Sequence, residues 1–121
     1  LIAAHLPPGG RVALMVWGDP SLYDSSLRLA ERLRVWGMEL RTEVVPGLTS
    51  VQLLTAAHSI PLNTLGAPVM ITTGRHLRDR GWPEGVDTLV VMLDGECSFD
   101  TVPPENVTIY WAAYLGMPQE V

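Results

Sequence analysis

Trp17-Gly-Asp-Pro-Ser-Leu-Tyr-Asp-Ser25 is the stretch of sequence that first indicates a fold. It follows a continuous apolar run at residues 12–17 and opens an amphipathic segment that ends near Gly37. An apolar run, a Gly-Asp-Pro turn and then a helix is the order expected at the carboxyl end of a strand in an open α/β sheet. Ligands bind beyond the strand ends of such sheets, so we expect a binding site at this turn.

The first half of the chain alternates predicted strands and helices. Residues 12–17 are apolar throughout, which is typical of a parallel strand buried on both faces. An apolar stripe at helical spacing then predicts a helix from Pro20 to Trp36, capped by Asp19 and ended by Gly37. A short strand at 40–45 and a helix from Thr49 or Ser50 to about His58 complete the half. This order predicts a parallel sheet.

The remaining segments predict a second, smaller set of elements. Residues 1–6 are interpreted as a helix end closed by a turn at 7–10, and 59–68 as a linker. Three runs rich in β-branched or aromatic residues predict strands at 69–73, 86–93 and 107–114. A short helix is expected within 75–85, whereas the acidic residues of 94–106, Asp94 among them, are expected to form a solvated loop.

Composition excludes several classes of protein. The net charge of −5 over 121 residues argues against non-specific nucleic-acid binding. Apolar runs fall short of the ~20 residues that a membrane span needs. The single cysteine, Cys97, excludes an internal disulfide framework, and the three histidines lack partners at metal-ligand spacing, so we expect no metal site. A cytoplasmic protein is the simplest interpretation. Since the chain begins at Leu1 rather than Met, we expect it to be part of a longer protein.

The candidate chemistry lies in turns rather than in reactive side chains. The motifs of serine hydrolases, zinc proteases and P-loop enzymes are missing from the sequence. Turns at Gly18-Asp19, Pro46–Ser50 and Thr72–Gly74 contain glycine, which permits close backbone approach to a ligand, and hydroxyl groups. Positioning of this kind suits a reaction whose cofactor brings its own reactivity, such as methyl transfer from a sulfonium donor.

Two of these turns resemble known paired motifs. Residues 17–23 and Val44-Val-Pro-Gly-Leu-Thr-Ser50 are similar to the GDP and PG-[IV]-[ST]-[SA] motifs of the tetrapyrrole (corrin/porphyrin) methylases. Further segments at 59–63, 71–75, 91–95 and 109–116 follow in the same order. The resemblance implies an α/β fold in which residues 1–60 end a parallel-sheet first lobe. Residues 61–121 would form most of a mixed-sheet second lobe, truncated at its C-terminus.

The resemblance also implies a cofactor, S-adenosyl-L-methionine, bound between the two lobes. Its binding residues would be Trp17, Gly18, Asp19, Leu22, Thr49, Ser50, Met92, Ala113 and Gly116. The family's glycine-rich cofactor loop, on the first strand of the fold, has no counterpart in this sequence.

The substrate implied by the resemblance is a tetrapyrrole, and a homodimer is the implied assembly. Tyr23 and Asp24 are the catalytic candidates, because they are polar groups beside the expected cleft and could orient substrate or water. Arg75 and Arg78 are candidates for binding substrate carboxylates, which suit bidentate guanidinium recognition. No partner nucleic acid or membrane is expected.

The reaction implied by the resemblance is methylation of ring carbon C1 of precorrin-5 with loss of acetate, a step of aerobic cobalamin synthesis. Two other interpretations stay open at this point. The chain could belong to another tetrapyrrole or diphthine-type methyltransferase, which would share the turns and differ in its substrate pocket. Alternatively, it could be a non-catalytic α/β module that binds a nucleotide or a partner through its sheet edge.

Overall fold

The computed structural model describes residues 6–121. Contacts between residues divide the chain into two compact units, Leu1–Thr49 and Ser50–Val121. The predicted helix end at residues 1–6 lies, apart from Leu6, outside the described residues. The predicted turn that follows it is confirmed, because the amide of Gly10 donates to the carbonyl of Pro7 at 2.9 Å.

Within residues 6–49, the described part of the first unit, the structure has one helix, α1, at Ser26–Val35. Its start lies six residues later than the predicted start at Pro20, so the prediction that Asp19 caps this helix is wrong. Asp24 stabilises the start instead, since its Oδ1 accepts from the amide of Ser26 at 2.6 Å. The predicted end is confirmed: the amide of Gly37 donates to Arg34, and that of Met38 donates to Leu33. This pair of bonds is the Schellman motif of helix ends.

The strands predicted at 12–17 and 40–45 are wrong for this structure. Both segments lack strand hydrogen bonds, and Val12, Leu14, Met15 and Val45 are exposed. A buried parallel strand needs a hydrogen-bonded neighbour on each side and packing on both faces. Residues 6–121 supply neither to these two runs, so their apolar character does not produce a strand.

The second unit is built around a parallel β-α-β arrangement. Helix α2 comes first, at Ser50–His58, where the sequence predicted it. Strand β1 covers Val69–Thr73, helix α3 covers Gly74–Arg80 and strand β2 covers Thr88–Met92. The two strands are parallel, with Val69 opposite Thr88 and Thr73 opposite Met92. Their carboxyl ends therefore meet at one edge of the sheet.

Local sequence explains these elements. Valine, isoleucine and threonine dominate both strands, and such β-branched residues favour a pleated surface. Thr73 is the N-cap of α3: its backbone is extended, and its Oγ1 accepts a hydrogen bond from the amide of His76 at 3.4 Å. Gly81 ends the helix, donating to the carbonyl of Leu77 at 2.7 Å. A 3-10 helix at Ser98–Thr101 follows β2.

The core of the second unit lies beneath α3. Leu77 on α3 is 2% exposed, and Ser98 at the start of the 3-10 helix is 1% exposed. Val51 on α2 and Thr72 on β1 are also buried. The fully buried part of this unit is therefore small, and Leu77 is its main apolar member.

The strand predicted at 107–114 is wrong as well. Residues 107–114 form no strand, and Ile109, Tyr110, Trp111 and Tyr114 are exposed. Two other contacts hold this segment. The ring of Tyr110 meets His58 of α2 edge-on, with centroids 5.2 Å apart. Ala113 and Val121 exchange both backbone hydrogen bonds at 3.0 Å, which closes the intervening chain into a loop.

Within residues 6–121, none of the helices combines the length and apolar character needed to cross a membrane.

We predict that Leu77→Ala destabilises the full-length protein by about 2–5 kcal/mol, because it leaves a cavity under α3 that a small core cannot refill. Urea unfolding at neutral pH measures the effect. The matched control is Leu65→Ala in the same unit, where the side chain is 99% exposed and the expected change is within about 0.5 kcal/mol. Equal effects of the two substitutions would contradict the position of the core.

Candidate functional site

The carboxylate of Asp19 joins the two turns of the first unit that carry the sequence motifs. Its Oδ2 accepts a hydrogen bond from the amide of Gly47 at 2.8 Å, across 28 residues of chain. Its Oδ1 accepts from the amide of Ser21 at 2.8 Å and from the Ser21 hydroxyl. Both oxygens are therefore engaged, one within its own turn and one with the turn at 46–49.

The same two turns also touch through their backbones. A Cβ at residue 47 would collide with the carbonyl oxygen of Gly18, so only glycine fits there. Gly18 itself has a φ of 92°, and the position of a Cβ there lies 3.5 Å from the carbonyl oxygen of Leu48 and 3.8 Å from Cα of Thr49. The structure thus brings Gly18, Asp19 and Thr49, three of the predicted cofactor residues, into one cluster.

Hydrogen bonding lowers the pKa of Asp19 below its usual value. The hydroxyl of Ser21 contributes most, followed by the amides of Gly47 and Ser21, while slight desolvation opposes them. Each of these donors stabilises the charged form of the carboxylate. Asp19 therefore acts in this structure as an anionic acceptor that holds two turns together.

An open depression lies beside this cluster. It has a volume of about 440 Å³ and is lined by Met15, Val16, Trp17 and Gly18. Met15 is 102% exposed and Trp17 84% exposed, so both side chains are available to a ligand. Leu22, another predicted cofactor residue, is half-buried at the end of the turn that starts at Asp19, to whose carbonyl its amide donates.

The two catalytic candidates differ in their surroundings. The Asp24 carboxylate already binds the amide of Ser26 through Oδ1. Tyr23 is exposed, has a φ of 51°, and its hydroxyl makes no hydrogen bond within residues 6–121. Tyr23 is thus the freer of the two side chains.

In the second unit, two predicted residues lie at the carboxyl edge of the sheet. Met92 is the last residue of β2 and is opposite Thr73 of β1. Arg75 lies in the first turn of α3, directly after β1, and is exposed without an ion pair in the described part of the chain. Ser50 is the first residue of α2 and is exposed.

Arg78 is engaged within the second unit. Its Nη1 lies 2.7 Å from Oε2 of Glu96 and donates to the hydroxyl of Ser98 at 3.3 Å. Asp94 shares the same hydroxyl, accepting from it at 2.8 Å. Asp94 departs from the predicted solvated loop, because the residue is half-buried and its carboxylate is hydrogen-bonded, whereas Glu96 and Asp100 are exposed as predicted.

Ala113 and Gly116 lie in the loop closed by Val121. The amide of Ala113 donates to Val121, and the amide of Gly116 donates to Oε2 of Glu120 at 2.6 Å. These two amides are thus satisfied within the loop. Residues 6–121 contain no cluster of three or more histidine, cysteine, aspartate or glutamate residues that could hold a metal ion.

A parallel β-α-β arrangement is the building unit of α/β proteins, whose ligands bind beyond the carboxyl ends of the strands. The sequence matches the family Tetrapyrrole (Corrin/Porphyrin) Methylases over residues 1–121. The chain belongs to this family of methylases.

Individual relatives agree with the family. The chain is 48% identical to the precorrin-6A synthase [deacetylating] of a Sinorhizobium species, over 100% of this chain and 46% of that protein. The crystal structure of a cobalamin-synthesis-related protein (CobF) from Corynebacterium diphtheriae superposes with a TM-score of 0.88 at 42% identity, covering 99% of this chain and 50% of that one. CobIJ of Mycobacterium bovis is 43% identical over half of the chain. The chain thus spans about half the length of the first two proteins.

We predict that Asp19 makes the stability of the full-length protein depend on acid pH. Because its folded-state pKa is depressed, its contribution is fully present above the usual value of 3.8 and is lost as pH falls through the lower folded-state value. Asp19→Asn should therefore lower the melting temperature at pH 6, with a smaller difference from wild type at pH 3.

The matched control is Glu43→Gln, an exposed carboxylate of the same unit without a hydrogen bond or ion pair in the described residues. The difference in melting temperature between Glu43→Gln and wild type should be the same at pH 6 and at pH 3. A difference between wild type and Asp19→Asn that is the same at both pH values would contradict the role given to Asp19.

Proposed function

We propose that the full-length protein transfers a methyl group from S-adenosylmethionine to C1 of precorrin-5, with release of acetate, to give precorrin-6A. The observation that carries the proposal is the pair of turns held by Asp19 and Gly47, in a chain that is 48% identical to a precorrin-6A synthase throughout its length. Membership of the methylase family supports the use of a sulfonium methyl donor.

The residues of the first unit suit such a cofactor. The depression at Met15–Gly18 is open and mostly apolar, so the side chains that line it are accessible to a ligand. We assign Trp17, Gly18, Asp19, Leu22 and Thr49 to its methionine end. Ser50, Met92, Ala113 and Gly116 stay predicted cofactor residues. For Ala113 and Gly116 the contact would be through atoms other than their amide groups, which are already bonded.

When bound, the cofactor supplies an activated methyl group, whose transfer leaves the electron pair of the broken carbon–sulfur bond on sulfur. What the protein must add is orientation, which by itself lowers a barrier considerably. The bond from Gly47 to Asp19, beside the close approach of Gly18 to Thr49, would provide one wall of the cofactor site for that purpose.

Loss of the acetyl group as acetate requires water, and this is where Tyr23 and Asp24 would act. Tyr23 carries a phenol without a partner in the described residues, so it is available to the substrate. Asp24 uses Oδ1 to begin α1, which leaves Oδ2 to orient the water. We assign orientation to Asp24 and substrate contact to Tyr23.

Substrate carboxylates would be bound by the arginines of α3. Arg75 is exposed and lies at the sheet edge where the strands end, so it is the stronger candidate. Arg78 keeps its contacts with Glu96 and Ser98 and would act mainly through the charge that it adds to this edge. The division into lobes at residues 60 and 61, and a homodimeric assembly, stay predictions.

We predict that the full-length protein binds S-adenosylhomocysteine in a calorimetric titration. Incubated with precorrin-5 and S-adenosylmethionine, it should release one acetate per methyl group transferred. Acetate measured enzymatically and product mass together test the reaction. Methylation without acetate would indicate another tetrapyrrole methyltransferase, and absence of cofactor binding would overturn the methyltransferase proposal.

We predict that Arg75→Gln raises KM for the tetrapyrrole about tenfold, the scale of one lost charge-assisted hydrogen bond, while the affinity for S-adenosylhomocysteine stays unchanged. Arg80→Gln at the other end of α3 is the matched control and should leave both quantities unchanged. Equal KM changes in the two variants would argue against a specific contact by Arg75.

A further inference from the structure

Asp94 is the most extensively bonded acidic residue after β2. Its Oδ2 accepts the amide of Ser98 at 2.7 Å. Its Oδ1 accepts the hydroxyl of Ser98 at 2.8 Å and the amide of Glu96 at 3.3 Å. One carboxylate thus fixes the path of the chain from residue 94 to residue 98.

The side chain of Asp94 also lies against the start of α3. A Cβ at residue 74 would overlap the carboxylate of Asp94, so the absence of a side chain at Gly74 creates the space that Asp94 occupies. Gly74 is buried and directly follows β1. Asp94 therefore ties the segment after β2 to the segment after β1.

Arg78 completes the arrangement from α3. It donates to the hydroxyl of Ser98 and pairs with Glu96, so α3 also holds this segment at residues 96 and 98. Burial raises the pKa of Asp94, but the hydrogen bonds from Ser98 and Glu96 and the charge of Arg78 outweigh it and lower the pKa below its usual value. Asp94 is consequently an anion at neutral pH.

The backbone around Asp94 is unusual for its sequence. Leu93 has a φ of 54° and Cys97 a φ of 52°, which are left-handed conformations that non-glycine residues adopt only when the surrounding structure requires them. Leu93 separates Asp94 from Met92, and Met92 ends β2 at the carboxyl edge of the sheet. Ligands of parallel α/β sheets bind at this edge. Restraint at Asp94 therefore sets the direction in which the chain leaves Met92.

We propose that Asp94 is a positioning residue for cofactor binding: through Ser98, Glu96 and the space above Gly74 it holds the Met92–Leu93 strand end in its binding conformation. This inference rests on the proposed function, which assigns Met92 to the cofactor. It adds a residue that acts through the backbone and does not itself touch the ligand.

The experiment compares three variants of the full-length protein. Asp94→Asn keeps the size of the side chain but places an amide group where an acceptor is needed. Ser98→Ala removes only the hydroxyl and keeps the backbone bond to Asp94. Asp79→Asn on α3 is the matched control, since Asp79 is exposed and has no hydrogen bond or ion pair in the described residues. Calorimetry with S-adenosylhomocysteine, carried out well below the melting temperature of each variant, gives Kd. Thermal unfolding gives the stability of each variant.

We expect Asp94→Asn to raise Kd about tenfold, because it removes the charged acceptor. Ser98→Ala should raise Kd about threefold, because it removes only the hydroxyl that donates to Asp94. With the tetrapyrrole substrate, KM for S-adenosylmethionine should rise while kcat at saturation changes less than about twofold. Asp79→Asn should match wild type.

A lowered melting temperature with unchanged Kd in Asp94→Asn would show a purely structural role and overturn the proposal. If Asp94→Asn does not fold, an unchanged Kd in Ser98→Ala overturns it equally. Wild-type protein that fails to bind S-adenosylhomocysteine would overturn the proposed function itself, which is a different result from loss of binding in the variant alone.

Discussion

The carboxylate of Asp19 accepts hydrogen bonds from its own turn and from the amide of Gly47, which lies 28 residues further along the chain. Its negative charge matters because both acceptor oxygens are used, and a neutral side chain could not serve all of the donors equally. The contact between Gly47 and the Gly18 carbonyl adds a steric requirement to the electrostatic one. The shape of the first unit around the candidate cofactor residues depends on this pair of constraints.

The second unit repeats the same physical solution with different residues. There Asp94 is the acceptor, Ser98 and Glu96 are the donors, and Gly74 provides the close approach. In both units a carboxylate at the end of an apolar run accepts backbone amides, and a glycine makes room for the contact. Buried apolar packing is sparse, so these polar contacts define the local geometry to an unusual extent.

The sequence predicts those parts of the fold whose signals are local. Helix α2, strands β1 and β2 and the end of α1 at Gly37 follow from spacing, β-branched residues and capping, and the structure contains them. The strand predictions at 12–17 and 40–45 are wrong because a strand needs hydrogen-bonded neighbouring strands, and the residue pattern of one segment does not show whether such neighbours are present. The family can be recognised from the sequence because the motifs at 17–23 and 44–50 and the later segments occur in the same order as in the family.

The same distinction between local signals and contacts that depend on folding applies to the candidate site. Gly18, Asp19 and Thr49 could be placed together from two motifs, but the bond from Gly47 to Asp19 depends on folding and has no local signal. From the sequence, Arg78 is predicted to be a free cation that can bind substrate, and Asp94 is predicted to be a solvated carboxylate. Their pairing through Ser98 arises only when β1 and β2 align in parallel. A strand-end aspartate followed four residues later by serine is the one hint that the sequence offers.

The most direct test of the central claim is a crystal structure of the full-length protein with S-adenosylhomocysteine. We predict that the methionine end of the ligand contacts Trp17–Asp19 and Thr49, with the bond from Gly47 to Asp19 intact. A ligand bound away from both turns, or a Gly47 amide that turns from Asp19 to the ligand, would contradict it.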